Sequence, residues 1–169
     1  MESEVHSRYY NLSTHPDQMY FLNEESEKML SEVQPELAEV VKRAVAISDI
    51  EIQVLHGKRT KQQQVEFFKK GVAPKATSAH LYGHAVDLGI IIEGRLCYEL
   101  ELYDELALNM KYASEDLHTP IRWGGAWILD TITGYDGLIP DLQNYYIDIC
   151  REQGQRPQLD IQHFELTVA

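Results

Sequence analysis

The stretch from Ser78 to Asp87, SAHLYGHAVD, places two imidazoles and a carboxylate directly before an apolar run. His80 and Asp87 are of the residue types that bind zinc, and a catalytic zinc usually takes three protein ligands and keeps one position for water. If the following run is a strand, Asp87 shares a face with Ala85, whereas His84 points to the other face. The spacing therefore favours His80 and Asp87 over His84 as ligands. The alternative is a polar turn that precedes a core strand.

A third ligand must come from a distant part of the chain. His163, in the segment LDIQHFEL, is the best candidate because it opens an alternating run near the C-terminus. Asp160 stands three residues earlier, and a carboxylate there can serve as general base toward an attacking water. These residues predict metal-assisted hydrolysis. From spacing alone the signal is moderate, because a single histidine on an apolar strand is more often an ordinary core or surface residue.

The composition is that of a globular protein with a strong acidic excess. The chain has 169 residues, 44% of them hydrophobic, and a formal net charge of -12. This length predicts one domain, residues 1–169, with a substantial core. The negative charge argues against nucleic-acid binding, which needs a basic surface. It also argues against electrostatic docking on an anionic membrane or wall.

Cysteine usage and the first residues bear on the compartment. Cys97 and Cys150 lie far apart without CxxC spacing, so we interpret both as buried, reduced thiols. The start, MESEVHSRYYN, has no basic and apolar signal regions, and no apolar run is long enough to span a bilayer. We expect cytoplasmic synthesis without a signal peptide, no membrane insertion and a monomer.

Periodicity predicts an α+β fold with a small, mostly antiparallel sheet flanked by helices. Residues 1–22 are expected to be a loosely structured segment. Pro35 interrupts the first helical pattern, so either two helices meet there or it lies in the first turn of the second helix. The predicted helices are Ser26–Ser48, Thr60–Lys70, Leu100–Tyr112 and Pro140–Gln153, and the predicted strands are Ile50–Val54, Ala85–Ile92, Ile121–Trp123 and Phe164–Val168.

Four motifs in order resemble the M15 metallopeptidases, which include D-Ala-D-Ala carboxypeptidases and dipeptidases and the L-alanyl-D-glutamate endopeptidases of bacteria and phage lysis systems. The first is S-x-H-x-x-G-x-A-x-D, beginning at Ser78. The others are HGKRT at residues 56–60, RWGGAW at residues 122–127 and DIQHFE at residues 160–165. The resemblance spans roughly residues 20–168 and implies a Hedgehog/D,D-peptidase-like fold.

The resemblance also implies roles for individual residues. It makes His80, Asp87 and His163 the ligands of one zinc ion per chain. Asp160 matches the general base, and Arg59 matches an arginine that holds the scissile carbonyl or its oxyanion. The remaining matches are residues that support the site or bind substrate, namely Ser78, Gln64, Trp123 and Trp127. For the two tryptophans, core packing is an equal alternative to lining the cleft.

The resemblance implies a peptidase of the peptidoglycan stem peptide, released onto the cell wall (a host's wall, if a phage encodes it). The closing acid is aspartate, Asp160, which favours cleavage between L-Ala and D-Glu over D-Ala-D-Ala carboxypeptidase or dipeptidase activity. Two departures stand out. Ala126 replaces an acid, and residues 128–159 form an insert between motifs that either covers the cleft or packs on the sheet. A non-catalytic zinc-stabilised binding or virion module is the alternative from another class.

Overall fold

The computed structural model describes residues 18–72 and 78–167. Interpretations that fall on residues 1–17, 73–77 and 168–169 lie outside this part of the chain. The helices are α1 (Glu24–Ser31), α2 (Pro35–Ile47), α3 (Lys61–Lys69), α4 (Leu100–Asp116) and α5 (Ile139–Glu152). The strands are β1 (Glu51–His56), β2 (Ala85–Ile92), β3 (Arg95–Cys97), β4 (Ile121–Trp123) and β5 (His163–Leu166), and a short 3-10 helix covers Ala79–Tyr82.

One antiparallel sheet organises the molecule, and this confirms the predicted α+β class. Its strand order is β1-β2-β5-β4, and β3 also pairs with β2. The long strand β2 is central. Its first half pairs with β5 and its second half forms a hairpin with β3, while β1 lies along its other edge. Every strand pair is antiparallel in the described ranges.

The two faces of the sheet serve different purposes. Alternate residues of β2, namely Val86, Leu88 and Ile90, are fully buried in the hydrophobic core with residues of α2 and α4. The residues between them, including Asp87, therefore point to the opposite face. Phe164 on β5 likewise belongs to the core, whereas its neighbour His163 does not. The polar face of the sheet is where the candidate site lies.

Pro35 begins the second of two helices, so both interpretations of its position are correct. Helix α1 ends before it, and Pro35 occupies the first turn of α2, where its missing N–H breaks no helical hydrogen bond. The end of the 3-10 helix contacts the turn between α1 and α2, where the backbone N–H of Gln34 donates to the carbonyl of Gly83 at 2.9 Å. A Cβ at Gly83 would meet the carbonyl oxygen of Glu32 at 3.1 Å.

Several predicted boundaries need correction. Strand β3 was not predicted, because the sequence suggested that Arg95 belongs to the turn after β2. In the structure only Glu93 and Gly94, both with positive φ, form that turn, and Arg95 already pairs with β2. Helix α4 continues to Asp116, where an ion pair with Arg43 supports its last turn. Strand β1 extends to His56, beyond the predicted end at Val54.

Two further observations concern bilayers and thiols. None of the helices in the described ranges combines the length and the apolar character needed to cross a bilayer. Cys97 and Cys150 are both free thiols, as predicted. Cys150 is buried, whereas Cys97 is only partly buried.

Candidate metal centre and active site

Strand register brings the candidate ligands together. Asp87 on β2 and His163 on β5 are direct partners across the antiparallel pair. Asp87 Oδ1 lies 3.2 Å from His163 Nδ1, and Asp87 Oδ2 lies 3.4 Å from His80 Nε2. His80, Asp87 and His163 are all buried, and each offers one ligand atom within 4.8 Å of the other two. The structure thus assembles one group that could hold a metal ion.

His80 is held by its local structure. The Ser78 side chain caps the 3-10 helix by accepting from the backbone N–H of His80 at 3.2 Å. The His80 ring is 2% exposed, and its Nδ1 lies 2.8 Å from the carbonyl oxygen of Gly57. Because a carbonyl oxygen only accepts, Nδ1 must carry the proton. The other ring nitrogen, Nε2, is then oriented toward Asp87, because a hydrogen bond on one ring nitrogen commonly fixes the direction of the nitrogen that binds a metal.

The types and positions of these atoms suit a bound metal ion. With its proton on Nδ1, His80 can present Nε2 to a cation beside the Asp87 carboxylate, whose Oδ2 lies 3.4 Å away. His163 Nδ1 approaches the other oxygen, Oδ1, at 3.2 Å, so both imidazoles converge on one carboxylate. Two imidazoles and a carboxylate form a donor set suited to zinc, although other transition metals accept the same atoms.

Asp87 is the centre of the hydrogen-bond network. Burial alone would raise the pKa of its carboxyl, but hydrogen bonds with His163, His56 and His80 outweigh burial and hold the pKa well below its usual value. His56 Nδ1 approaches Oδ2 at 3.1 Å, and Arg59 donates to the same oxygen from Nη2 at 3.2 Å. The carboxyl is therefore ionised at neutral pH and available as a ligand.

His163 is bracketed by two carboxylates. Its Nδ1 faces Asp87 and its Nε2 lies 3.3 Å from Glu165 Oε1. Burial by itself would lower the pKa of His163, yet the hydrogen bonds with Asp87 and Glu165 raise it to about 9 in the metal-free protein. Since Glu165 engages Nε2, the nitrogen that remains for a metal is Nδ1. A carboxylate on the far nitrogen fixes the ring and raises its basicity as a ligand.

Asp160 lies at the edge of this cluster, where it is exposed to solvent. Partial desolvation in the cleft and the nearby charge of Asp87 raise the pKa of its carboxyl, while His163, His80 and Arg59 act in the opposite direction. A carboxylate with a raised pKa is a stronger base. The position and charge environment of Asp160 suit a proton acceptor beside the ligands.

Gly124 fixes Asp160 relative to His163. Its N–H donates to the His163 carbonyl at 2.9 Å, and its own carbonyl accepts from the Asp160 N–H at 3.0 Å. A Cβ at Gly124 would lie 2.3 Å from the Asp160 carbonyl oxygen, so only glycine allows this approach. The RWGGAW segment therefore acts as a backbone clamp on the segment that carries the candidate base and ligand.

Arg59 is anchored on three sides. Besides its contact with Asp87, Nη1 donates to Gln64 Oε1 at 3.2 Å, and the guanidinium stacks over the Phe67 ring with its carbon 4.8 Å from the centroid. Gln64 is itself almost fully buried at the first turns of α3. The structure thus places Arg59 first as a support for Asp87.

The two tryptophans differ in environment. Trp123 is fully buried, stacks on Phe164 and donates from Nε1 to the Ile161 carbonyl at 2.9 Å. It supports the 160–163 segment from within the core and does not line the cleft. Trp127 is half-buried, with its ring centroid 5.4 Å from that of His163. Arg122 stacks on the Trp127 ring and donates to the carbonyls of Trp127 and Leu129.

The 128–159 insert packs into the hydrophobic core, and a role in covering the cleft stays a prediction. One face of α5 enters the core through Ile139, Leu142, Tyr146 and Cys150. Other residues of the insert line an open groove of about 550 Å³ together with Trp127. Trp127 connects this groove with the candidate site, because its ring centroid lies 5.4 Å from that of His163.

Three residues of the site were missed from sequence. His56, Gly57 and Glu165 stood in the quoted motifs without an assigned role. In the structure, the His56 ring approaches Asp87, the Gly57 carbonyl accepts from His80, and Glu165 contacts His163. Glu165 was accessible to reasoning, because residues two apart on a strand share a face and His163 is two residues earlier. His56 was obscured because β1 was ended too early, and its pairing with Asp87 follows a register shift in β1.

An antiparallel sheet that presents a His-Asp-His group beside a carboxylate is suited to a metal-dependent hydrolase. The family model described as phage L-alanyl-D-glutamate peptidase matches residues 19–136. Since this is more than half of the chain, the protein belongs to that family.

Two similar proteins agree with this assignment. The chain is 29% identical over 106 residues to the L-alanyl-D-glutamate peptidase of Escherichia phage T5, which covers 60% of this chain and 77% of that protein. The crystal structure of the Serratia marcescens L-Ala D-Glu endopeptidase ChiX shares the fold, with a TM-score of 0.62 and 24% identity. That likeness covers 91% of this chain and 94% of ChiX.

Proposed function

We propose that this protein is a zinc-dependent endopeptidase that cuts the peptidoglycan stem peptide between L-Ala and D-Glu. The observation that carries the proposal is the buried His80, Asp87 and His163 group with Asp160 at its edge, in a chain of the phage L-alanyl-D-glutamate peptidase family. The names of the phage T5 and ChiX proteins support the same bond. We further propose that the protein is a monomer that reaches the cell wall after release by another factor.

His80 Nε2, one oxygen of Asp87 and His163 Nδ1 would hold the zinc ion. When bound, zinc polarises a carbonyl as a Lewis acid and lowers the pKa of water. Around it, the hydrogen bond from His80 to Gly57 and the contact of His163 with Glu165 keep the two rings in position. Pre-set ligand orientation of this kind limits reorganisation during the reaction.

Asp160 would accept a proton from the attacking water and then deliver it to the departing amine of D-Glu. Its raised pKa, caused by burial in the cleft and the nearby charge of Asp87, makes it a stronger base and so suits the first step. Arg59 keeps Asp87 in place, and its guanidinium stays charged at any working pH. Its remaining N–H groups can donate to the carbonyl oxygen as negative charge develops there.

The test is digestion of purified peptidoglycan and of soluble stem peptides by the zinc-loaded protein, with products read by mass spectrometry. New N-terminal D-Glu is the expected product, and the chelated protein serves as the control without activity. Release of terminal D-Ala would instead assign a carboxypeptidase or dipeptidase. A protein that holds one zinc ion but yields no product would refute the enzyme and favour a binding module.

A further inference from the structure

The groove between the Trp127 segment and α5 has a composition unlike that of the rest of the surface. Its nine described lining residues include one arginine, Arg156, and no aspartate or glutamate. The whole chain has 27 acidic residues and a net charge of -12. Most of such a surface would repel an anionic ligand. The groove, whose lining carries one positive charge and no negative charge, is therefore a favourable place for an anionic ligand to bind.

The polar groups of the groove are available for a ligand. Arg156 makes no salt bridge with any residue in the described ranges. Gln153, Gln155 and Gln158 also line the groove and are exposed. Trp127 and Tyr146 supply aromatic surface. Aromatic walls with a few convergent polar groups are typical of small-ligand sites.

The wall that carries Arg156 is held in place by the end of α5. Gly154 adopts positive φ and turns the chain back, and the Gln155 N–H donates to the Cys150 carbonyl at 2.8 Å. The Tyr146 hydroxyl then accepts from the Gln158 N–H at 3.3 Å. The segment therefore runs along the helix in a defined position.

Two lining residues connect the groove with the candidate active site. On one wall, the Trp127 ring lies 5.4 Å from the His163 ring. On the other, Gln158 is two residues before Asp160, the candidate proton donor to the departing amine. That amine belongs to D-Glu, so the D-Glu half of the substrate must lie on the side of Asp160, which follows the groove residue Gln158 in the chain.

We infer that this groove binds the D-glutamyl half of the stem peptide and that Arg156 pairs with the free carboxylate of that residue. The inference rests on the proposed function. A glutamate whose chain continues through one carboxyl group keeps the other free, and a guanidinium can engage a carboxylate through two parallel hydrogen bonds. The site would therefore distinguish a stem peptide with this carboxylate from one in which it is an amide.

The experiment compares two soluble stem peptides that differ only in that carboxylate, one free and one amidated, with the wild type and Arg156→Ala. We expect Arg156→Ala to raise KM for the free carboxylate about tenfold, to leave kcat within about twofold, and to change little with the amidated peptide. Arg151→Ala is the matched control, because Arg151 is an exposed arginine in the last turn of α5, five residues before Arg156, and does not line the groove.

A binding measurement gives a second readout. Calorimetric titration with the product peptide that begins with D-Glu should show the same loss of affinity in Arg156→Ala. Equal KM and equal product affinity for both proteins would overturn the inference, as would a loss confined to glycan-linked substrate, which would assign the groove to the sugar strand. If the wild type does not cut L-Ala–D-Glu at all, the proposed function itself fails, and this outcome is distinct from the others.

Discussion

The two walls of the cleft are built by different means. On the sheet side, His80, Asp87 and His163 are buried, and strand pairing and a backbone hydrogen bond hold their ligand atoms within 4.8 Å of one another. On the groove side, Arg156 and three glutamines are exposed in and after the C-terminal cap of α5, without side-chain partners in the described ranges. The sheet side thus has the precision that chemistry requires, and the groove side has the free polar groups that binding requires.

This difference predicts how the two sides respond to substitution. A change on the sheet side should alter kcat or metal content, whereas a change on the groove side should alter KM. Three further predictions test the sheet side, in order of decreasing effect.

The largest effect is expected for Asp160→Asn, which removes the proton acceptor and keeps the shape of the side chain. We expect kcat to fall about 10²- to 10⁴-fold, the range that general acid–base catalysis contributes. Zinc content should stay at one ion per chain, because Asp160 is not among the three ligand candidates. Asp148→Asn, an exposed carboxylate of α5, is the control and should keep wild-type kinetics. Full activity of the Asp160 variant would remove it as the base.

Gly124→Ala should have the next largest effect. The added methyl group would lie 2.3 Å from the Asp160 carbonyl oxygen and 3.1 Å from His163 Cβ, so the segment that carries the base must move. We expect a loss of about 1–3 kcal/mol in the free energy of unfolding. Activity per folded molecule should fall as well, as measured by kinetics beside thermal unfolding.

Gly134→Ala separates general destabilisation from damage to the site. Gly134 has φ +81, so alanine there costs about 1 kcal/mol of backbone strain. No atom lies within 4 Å of the added Cβ, so the methyl group contacts no neighbouring residue. Its folded fraction should keep full activity. If both glycine variants lose stability and keep activity per folded molecule, the clamp does not position the base.

The smallest effect concerns metal binding and pH. In the metal-free protein, the pKa of His163 is raised to about 9, so the ring is protonated at pH 7 and must lose that proton to become a ligand. Zinc affinity should therefore rise with pH, by about tenfold per pH unit between pH 7 and 9. Calorimetry in buffers of different ionisation enthalpy should detect about one proton released per zinc ion at pH 7.5. No proton release would mean that His163 is already neutral.

The stability of the metal-free protein should show the complementary trend. A histidine whose folded pKa is raised contributes stability that is fully present below its unfolded pKa and is lost as pH rises through the folded value. The contribution of His163 should thus decrease between pH 6.5 and about 9. Thermal unfolding of the chelated protein across this range, with the zinc-loaded protein as reference, measures it.

Much of the fold could be predicted because its signals are local. The apolar run of β2 and the apolar spacing of α2 and α5 identify these elements within a few residues. Pro35 marks the start of a helix because its fixed φ suits the first turn and its missing N–H breaks no helical hydrogen bond there. The hairpin strand β3 was missed, since three residues after a turn are too few to show a period.

The sequence by itself determined which residue types were available for chemistry, and the spacing of His80 and Asp87 around a strand start already separated them from His84. Only the tertiary structure decided that His163, 76 residues after Asp87, would stand directly opposite it. It also decided that His56 would face the same carboxylate, that Trp123 would lie in the core, and that α5 would leave a groove beside Trp127. The physical reason is that strand register and helix docking depend on contacts between distant segments, which no local pattern contains.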